Sequence, residues 1–372
     1  MKYQGFLVVL SLVFLSLINL SCKKKGNLLP DPKAIVYTLS LERQRDDNAD
    51  GAFLSMSATT DGNHFYVSGG MNDSDLFIYT PKTAQWVQVP LSWKRSYTSS
   101  IYFKGKVFVA GGNTNIADQY RIDIYDEVTK TSNFVLFGDY QYHHPTFSAI
   151  VDNRYVVFYD YNYLYAYDSI TDRWQTIDNP IRTRVTTTGM VVIGNKLYFN
   201  DIHYPDSIRI YDFKNNAWST ISSFQHQSHT KLLALDEHIY FYGNTSFITL
   251  DYIDVLDVKT GLWSKIMLPS GRTMYEMSID PKSRSLVITG GSVSDVDVNG
   301  YTYLKTSNDL LIYHIDNKDW QQAKLKFTRY AHTTHFVGDY FIVHGGSASN
   351  SSYPLIKLPT EVYLVKYKKA TN

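Results

Sequence analysis

Short runs that alternate apolar and polar residues, broken by tight turns, fill this chain between residues 34 and 368. The clearest unit is RYAHTTHFVGDYFIVHGG, from Arg329 to Gly346. It reads as an arginine, an alternating run, a turn at Gly338-Asp339, a second hydrophobic run and a Gly-Gly stop. Alternation over so few residues predicts strands, and a Gly/Asp turn between two such runs predicts a β-hairpin. The same order of residues returns as RSYTSSIYFKGKVFVAGG from Arg95 to Gly112. It returns again from Arg272 to Gly291 with two extra residues at the turn, and from Phe53 to Gly70 without the arginine.

Each hairpin is followed by a second signature, an apolar run ending in Tyr-Asp or a variant of it, a turn, and a Trp. The copies end at Trp86, Trp174, Trp218, Trp263 and Trp320, and a degenerate one, IYDEVTKTSNF, runs from Ile124 to Phe134. The turn residues join a third strand to a fourth, and a Trp opening that fourth strand would wedge between sheets. The unit is therefore a four-stranded meander of roughly forty residues, and such a period predicts a β-propeller. Turns between first and second strands fall at Asp61-Gly62-Asn63, Lys104-Gly105, Asp152-Asn153, Gly194-Asn195, Asp236-Glu237, Asp280-Pro281 and Gly338-Asp339, which makes seven blades. Six is the alternative count, with one degenerate unit serving as a lid. The last unit supplies only three strands, and the orphan run from Ile35 to Leu41 is its expected fourth. Pairing the two chain ends would close the ring and remove exposed sheet edges.

The paired glycines, the following Tyr-Asp and the spaced Trp resemble kelch repeats over nearly all of residues 34–368. Gly69-Gly70, Gly111-Gly112, Gly290-Gly291 and Gly345-Gly346 match the double glycine, whereas Tyr159-Asp160, Asn200-Asp201 and Tyr242-Gly243 depart from it. Asn and Asp tolerate a positive φ best after Gly, so a turn is expected to persist there. The resemblance implies an all-β, seven-bladed kelch-type propeller and leaves its activity open.

Residues 1–33 read differently. An apolar run from Phe6 to Leu20 follows Met1-Lys2 and leads into Ser21-Cys22-Lys23. It is short for a membrane span and resembles a secretory signal with a bacterial lipoprotein processing site, the alternatives being an ordinary cleaved signal or an uncleaved anchor helix. Cys22 is the only cysteine of 372 residues and stands where a lipid would be attached. Residues 1–21 are thus expected to be a signal peptide, and 22–33 a lipidated cysteine and tether. Two or more acyl chains would anchor the protein to a membrane of the bacterial envelope, the outer membrane being the expected one.

Composition narrows the partners. A net charge of +1 points away from nucleic acid, and the 31 Tyr supply packing and stacking surface. With no cysteine in the folded part, packing and ring closure must hold it.

The residue opening each hairpin lies near one rim, because the first and second strands are antiparallel neighbours and the first is innermost. Reading that position gives Phe53, Arg95, His143, Arg184, His226, Arg272 and Arg329. The six polar members form the expected ligand-binding ring at the channel mouth, where Arg suits carboxylates. The alternative is that each Arg pairs with a carboxylate and holds blades in register, Asp160 and Asp201 being candidate partners. Long connections at 113–120, 292–308 and 347–360 open onto the same rim, and Tyr301, Tyr303 and Tyr353 give them aromatic faces suited to sugars or peptide side chains. They either bind a partner or cover a neighbouring blade edge.

No cofactor or metal site is expected. His143 and His144 would point to opposite faces of a strand, and Asp295, Asp297 and Asn299 lack the glycine and distal glutamate of a calcium loop. Galactose oxidase chemistry needs a cysteine in the propeller, and the sialidase box fails at Val258. The reading is a membrane-anchored kelch-repeat lipoprotein that binds a carbohydrate or protein partner and has no catalytic residues. The alternative is an acidic-sugar epimerase or mutarotase resembling N-acetylneuraminate epimerase, with the Arg ring and His143 or His226 supplying carboxylate binding and acid–base groups.

Overall fold

The structure, a computed structural model, describes residues 37–47, 56–70, 73–112, 121–136, 147–159, 163–180, 187–201, 207–222, 231–243, 248–348 and 358–369. All regular structure in these residues is β, arranged as seven sheets. Blade 1 is a meander of Met56–Thr60, Phe65–Gly69, Asp73–Thr80 and Gln85–Arg95, and five further blades repeat that order. Blade 7 takes Tyr330–Val337, Tyr340–Ser347 and Thr360–Lys369 from the end of the chain and its outermost strand, Tyr37–Asp47, from the beginning. Tyr37 faces Lys369 and Leu41 faces Val365 in an antiparallel register. Leu39 is fully buried from this strand, packing with Val287 and Ile312 of blade 6 and Tyr363 of blade 7. The count is seven, and the ring closes by the expected pairing.

The innermost strands, Met56–Thr60, Thr98–Phe103, Phe147–Val151, Thr187–Ile193, Lys231–Leu235, Glu276–Asp280 and Tyr330–Val337, contact one another in a closed circuit. Short hydroxyl side chains let these backbones approach. Ser57 and Ser100 bond at 2.7 Å, Ser99 donates to Ser148 at 2.8 Å, and Ser278 meets Thr334 at 2.7 Å. Blade faces carry the apolar side chains, and the buried clusters run across consecutive blades.

The Trp signature works as a wedge. Trp86, Trp174, Trp218, Trp263 and Trp320 stand opposite Tyr79, Tyr167, Tyr211, Leu256 and Tyr313. Each described reach is to the preceding blade. Trp86 stacks 5.3 Å from His344 of blade 7, and Trp174 meets Phe108 of blade 2. Trp218 donates its indole N–H to the Asp178 carbonyl, and Trp320 donates to that of Met267. Blade 2 corrects the sequence reading, because its Tyr125 faces Ser132, and Phe134 lies two residues past the Trp register. The interface between blades 1 and 2 therefore has no Trp wedge.

The double glycines have left-handed φ, from 57° at Gly290 to 107° at Gly112. A Cβ on Gly346 would stand 2.6 Å from the Tyr330 carbonyl, so the second glycine admits the chain segment that follows the hairpin arginine. Where units 3 and 4 lack the pair, Tyr159 and Asn200 instead continue the extended ladder, opposite Phe147 and Gly189.

Closure by the first strand predicts a sharp dependence on it. Leu39→Ala should cost about 2–5 kcal/mol, read from urea unfolding midpoints. Removing residues 1–47 should leave the Thr360–Lys369 edge unpaired and drive self-association on size exclusion. A monomeric, equally stable truncation would contradict the closure.

Candidate functional site

Each hairpin arginine reaches into the sheet whose hairpin it opens, Arg95 from the end of the fourth strand of blade 1 into blade 2 and Arg272 from that of blade 5 into blade 6. The Arg95 guanidinium donates to the carbonyl of Gly111 at 3.2 Å, that of Arg272 to Gly290 at 3.4 Å, and that of Arg329 to Gly345 at 2.9 Å. Each also pairs with a carboxylate that begins the third strand of the same blade. Arg95 binds Asp123, Arg272 binds Asp309 at 3.0 Å, and Arg329 binds Glu361 at 2.7 Å. All three arginines are buried, as are Asp123 and Glu361. The carboxylates are held from a second side. Asp123 accepts the Ser92 backbone N–H, Glu361 accepts the Lys326 N–H and the Tyr363 hydroxyl, and Lys324 reaches Asp309. Burial alone would raise the Asp309 carboxyl, but hydrogen bonds from Lys324 and Ser307 and the charge of Arg272 outweigh it and hold the group below the ordinary carboxylate range.

This corrects the expectation of an open cationic mouth. Arg95, Arg272 and Arg329 are not available to a ligand, because each guanidinium is spent on a glycine carbonyl and a carboxylate inside the sheet. Arg184, His143, His226, Phe53, Asp160 and Tyr353 lie outside the described residues, as does Cys22, and so does the side chain of Asp201. The three partners, Asp123, Asp309 and Glu361, escaped sequence reading. Their signal is an acid set among the apolar residues of a third strand, as in RIDIYD and TEVYLV. Blade 4 inverts the arrangement, with buried Arg209 at the position of Asp123, donating to the Tyr159 hydroxyl at 3.0 Å and to Asn179 at 3.2 Å.

The innermost strands of blades 5, 6 and 7 border a cavity of about 530 Å³ whose walls include Leu233, Tyr242, Met277, Ile279, Thr334 and His335. Glu276 at its edge is held by Lys231. Burial pushes the Tyr242 hydroxyl well above its ordinary value. His335, half-buried on this wall and 5.6 Å from the Phe65 ring, is pushed down to about 4 by desolvation. Nearby His332, buried and bonded to Thr289 at 2.7 Å, is pushed down by burial and by the charges of Arg329 and Lys231. This wall is therefore neutral apart from a neutralised ion pair.

The long connection of blade 6 is not a loop. Ser292–Val296 and Thr302–Thr306 form a β-hairpin that joins the fourth strand of blade 5 through Thr273 opposite Ser292 and Arg272 opposite Val293. Its base covers that blade edge, and its tip stands in solvent. Val298 and Tyr301 are fully and 73% exposed, and Val296 and Tyr303 are also exposed. Asp297 caps the tip turn by accepting the N–H groups of Asn299 and Tyr301 at 2.8 Å each. On the same rim of blades 1 and 2, the Arg121 guanidinium lies 4.7 Å from the Phe134 ring and 5.9 Å from that of Trp93, with Tyr97 and Leu136 exposed nearby in sequence.

Three comparisons bear on the fold. No family model matches the chain. Over 181 residues it is 24% identical to an F-box/kelch-repeat protein of Arabidopsis thaliana, covering 47% of each chain, so it spans about half the length of that curated relative. The solved structure of YjhT superposes with a TM-score of 0.53 at 13% identity, over 87% of this chain and 99% of that one, a likeness of fold alone. The fold is thus a seven-bladed β-propeller.

The buried clamp makes a direct prediction. Arg329→Ala should cost about 3–5 kcal/mol by taking from Glu361 its buried partner and leaving only Arg43, 4.0 Å away, beside it. A single-variant cost under about 1 kcal/mol in urea unfolding would contradict the clamp.

The two histidines give a pH dependence of fixed sign. Unfolded, they take up protons near about pH 6.5, whereas the folded protein resists protonation until well below it. Stability should therefore fall as pH drops from about 6.5 toward 4, and the fall should shrink in His335→Asn. A urea midpoint unchanged between about pH 7 and 5 would argue against their burial as neutral rings.

Proposed function

We propose that this chain is a membrane-anchored propeller that docks a protein partner on its loop-rich rim. The observation that carries the reading is the hairpin at 292–306. Its base is fixed to a blade edge, while its tip offers Val296, Val298, Tyr301 and Tyr303 to solvent. A rigid platform bearing exposed aromatic and branched side chains is what an interface anchor requires, since such residues lose little conformational freedom on binding. The Trp93, Arg121 and Phe134 cluster adds a second aromatic surface on that rim. The kelch-type relative agrees with a binding role. The lipid-type leader over residues 1–21, followed by Cys22, supports an anchor at that cysteine and a place in the bacterial envelope.

The test is crosslinking of the full-length protein in membranes, followed by purification. Envelope proteins should co-purify with it and be lost from the Val298→Ser, Tyr301→Ser, Tyr303→Ser triple variant. These side chains are exposed, so the variant should fold within about 0.5 kcal/mol of the parent. Equal recovery with the triple variant contradicts the reading. So does faster anomerisation of N-acetylneuraminate by NMR that Arg184→Ala abolishes, which would replace docking with acidic-sugar chemistry.

A further inference from the structure

The rim opposite the docking hairpin carries a group of side chains with no part in that reading. Asp61 and His64 belong to the turn between the first two strands of blade 1, and Glu127 to the turn between the last two strands of blade 2. Their donor atoms all lie within 4.8 Å of one another. The His64 Nδ1 is 2.8 Å from the Asp61 Oδ2 and 3.3 Å from the Glu127 Oε1.

Both carboxylates are oriented by atoms behind them. The other Asp61 oxygen, Oδ1, accepts the backbone N–H groups of Asn63 at 2.7 Å and His64 at 2.5 Å, which turns Oδ2 toward the imidazole. The Tyr66 hydroxyl donates to Oδ2 at 3.1 Å, and that of Tyr102 donates to the Glu127 Oε2 at 3.2 Å. The two phenol rings stack at 5.7 Å across the blade interface. Burial first, then the charges of Asp61 and Glu127, push the Tyr66 hydroxyl far up, so it remains a donor.

Two independent observations ask for a cation here. Asp123, Asp309 and Glu361 each have a guanidinium, but among the described residues no Lys or Arg lies within 4.0 Å of Asp61 or Glu127. Two half-buried carboxylates from different blades thus converge with only an imidazole between them. This interface also lacks a Trp wedge, as does that between blades 6 and 7, because Ser132 stands at that register in blade 2.

We propose that Asp61, His64 and Glu127 form a binding site for a divalent first-row transition ion of the Zn²⁺ type, which clasps blades 1 and 2. One imidazole and two carboxylates suit such an ion, and they are too few for calcium. Bonds of about 2.0–2.2 Å set neighbouring tetrahedral donors about 3.3–3.6 Å apart, which the 3.3 Å His64–Glu127 separation meets and to which the 2.8 Å His64–Asp61 separation must open. The ion takes the Nδ1 lone pair of the neutral imidazole, whose single proton then sits on Nε2, and its two positive charges balance both carboxylates. Three protein donors leave the fourth position to water.

The experiment is calorimetric and thermal titration of chelator-treated, untagged full-length protein with ZnSO₄. Saturable binding of one ion per chain is expected, with a rise in melting midpoint of roughly 4 °C at a hundredfold excess over Kd. His64→Ala and Glu127→Gln should each abolish the tight site while retaining the β circular dichroism spectrum, and Tyr102→Phe should weaken it about tenfold or more. CaCl₂ should give no comparable shift. Failure to bind one ion per chain overturns the site, and so does Zn²⁺ binding that both His64→Ala and Glu127→Gln leave unchanged.

Discussion

A ring of twisted sheets is stable only if no sheet edge is left open and no wedge between sheets is left empty. In this chain both conditions are met by side chains and strands drawn from distant parts of the sequence. The outermost strand of blade 7 is the first strand of the chain, so the two ends are held in one ladder more than three hundred residues apart in sequence. Radial spacing is kept by the Trp residues, each leaning on the blade before it, and axial spacing by hydroxyl contacts between innermost strands.

The arginines belong to this same framework. Each one ties the end of the second strand, at its glycine carbonyl, to the start of the third, at its acid. A charge buried in a sheet is costly unless its hydrogen bonds are complete, and the acids complete theirs with backbone N–H groups and a tyrosine. Such a pair fixes the register of a strand connection and is closed to a ligand by its burial. Adaptability is left to what the repeats do not constrain, namely the inserted hairpin and the turns. Of these, the hairpin tip presents apolar surface, and the turns of blades 1 and 2 present convergent ligating atoms.

Much of the architecture was legible because it is local. Strand period, turn chemistry and the glycine pairs occur within stretches of about twenty residues, and the three-stranded last unit beside an orphan N-terminal run pointed to ring closure. The clamps were half legible. The arginines stood out by repetition, but their acids lie 28, 37 and 32 residues away, on a strand that pairs with the hairpin only in three dimensions. The degenerate fourth strand of blade 2 misled because Phe134 is the nearest aromatic, whereas the ladder sets Ser132 against Tyr125. The blade 6 insertion read as a loop because its alternation is short, although Ser292–Val296 and Thr302–Thr306 do alternate about a turn held by Asp297. Asp61, His64 and Glu127 carry no spacing signal at all, since two different turns meet only when blades 1 and 2 stack.

The central claim is that the first strand of the chain is the last strand of the ring. Hydrogen exchange followed by mass spectrometry tests it most directly on the intact protein. Peptides from residues 37–47 should be protected to the same degree as those from 360–369, and both should open together under mild urea. Rapid exchange of 37–47 beside a fully protected 360–369 would contradict the account.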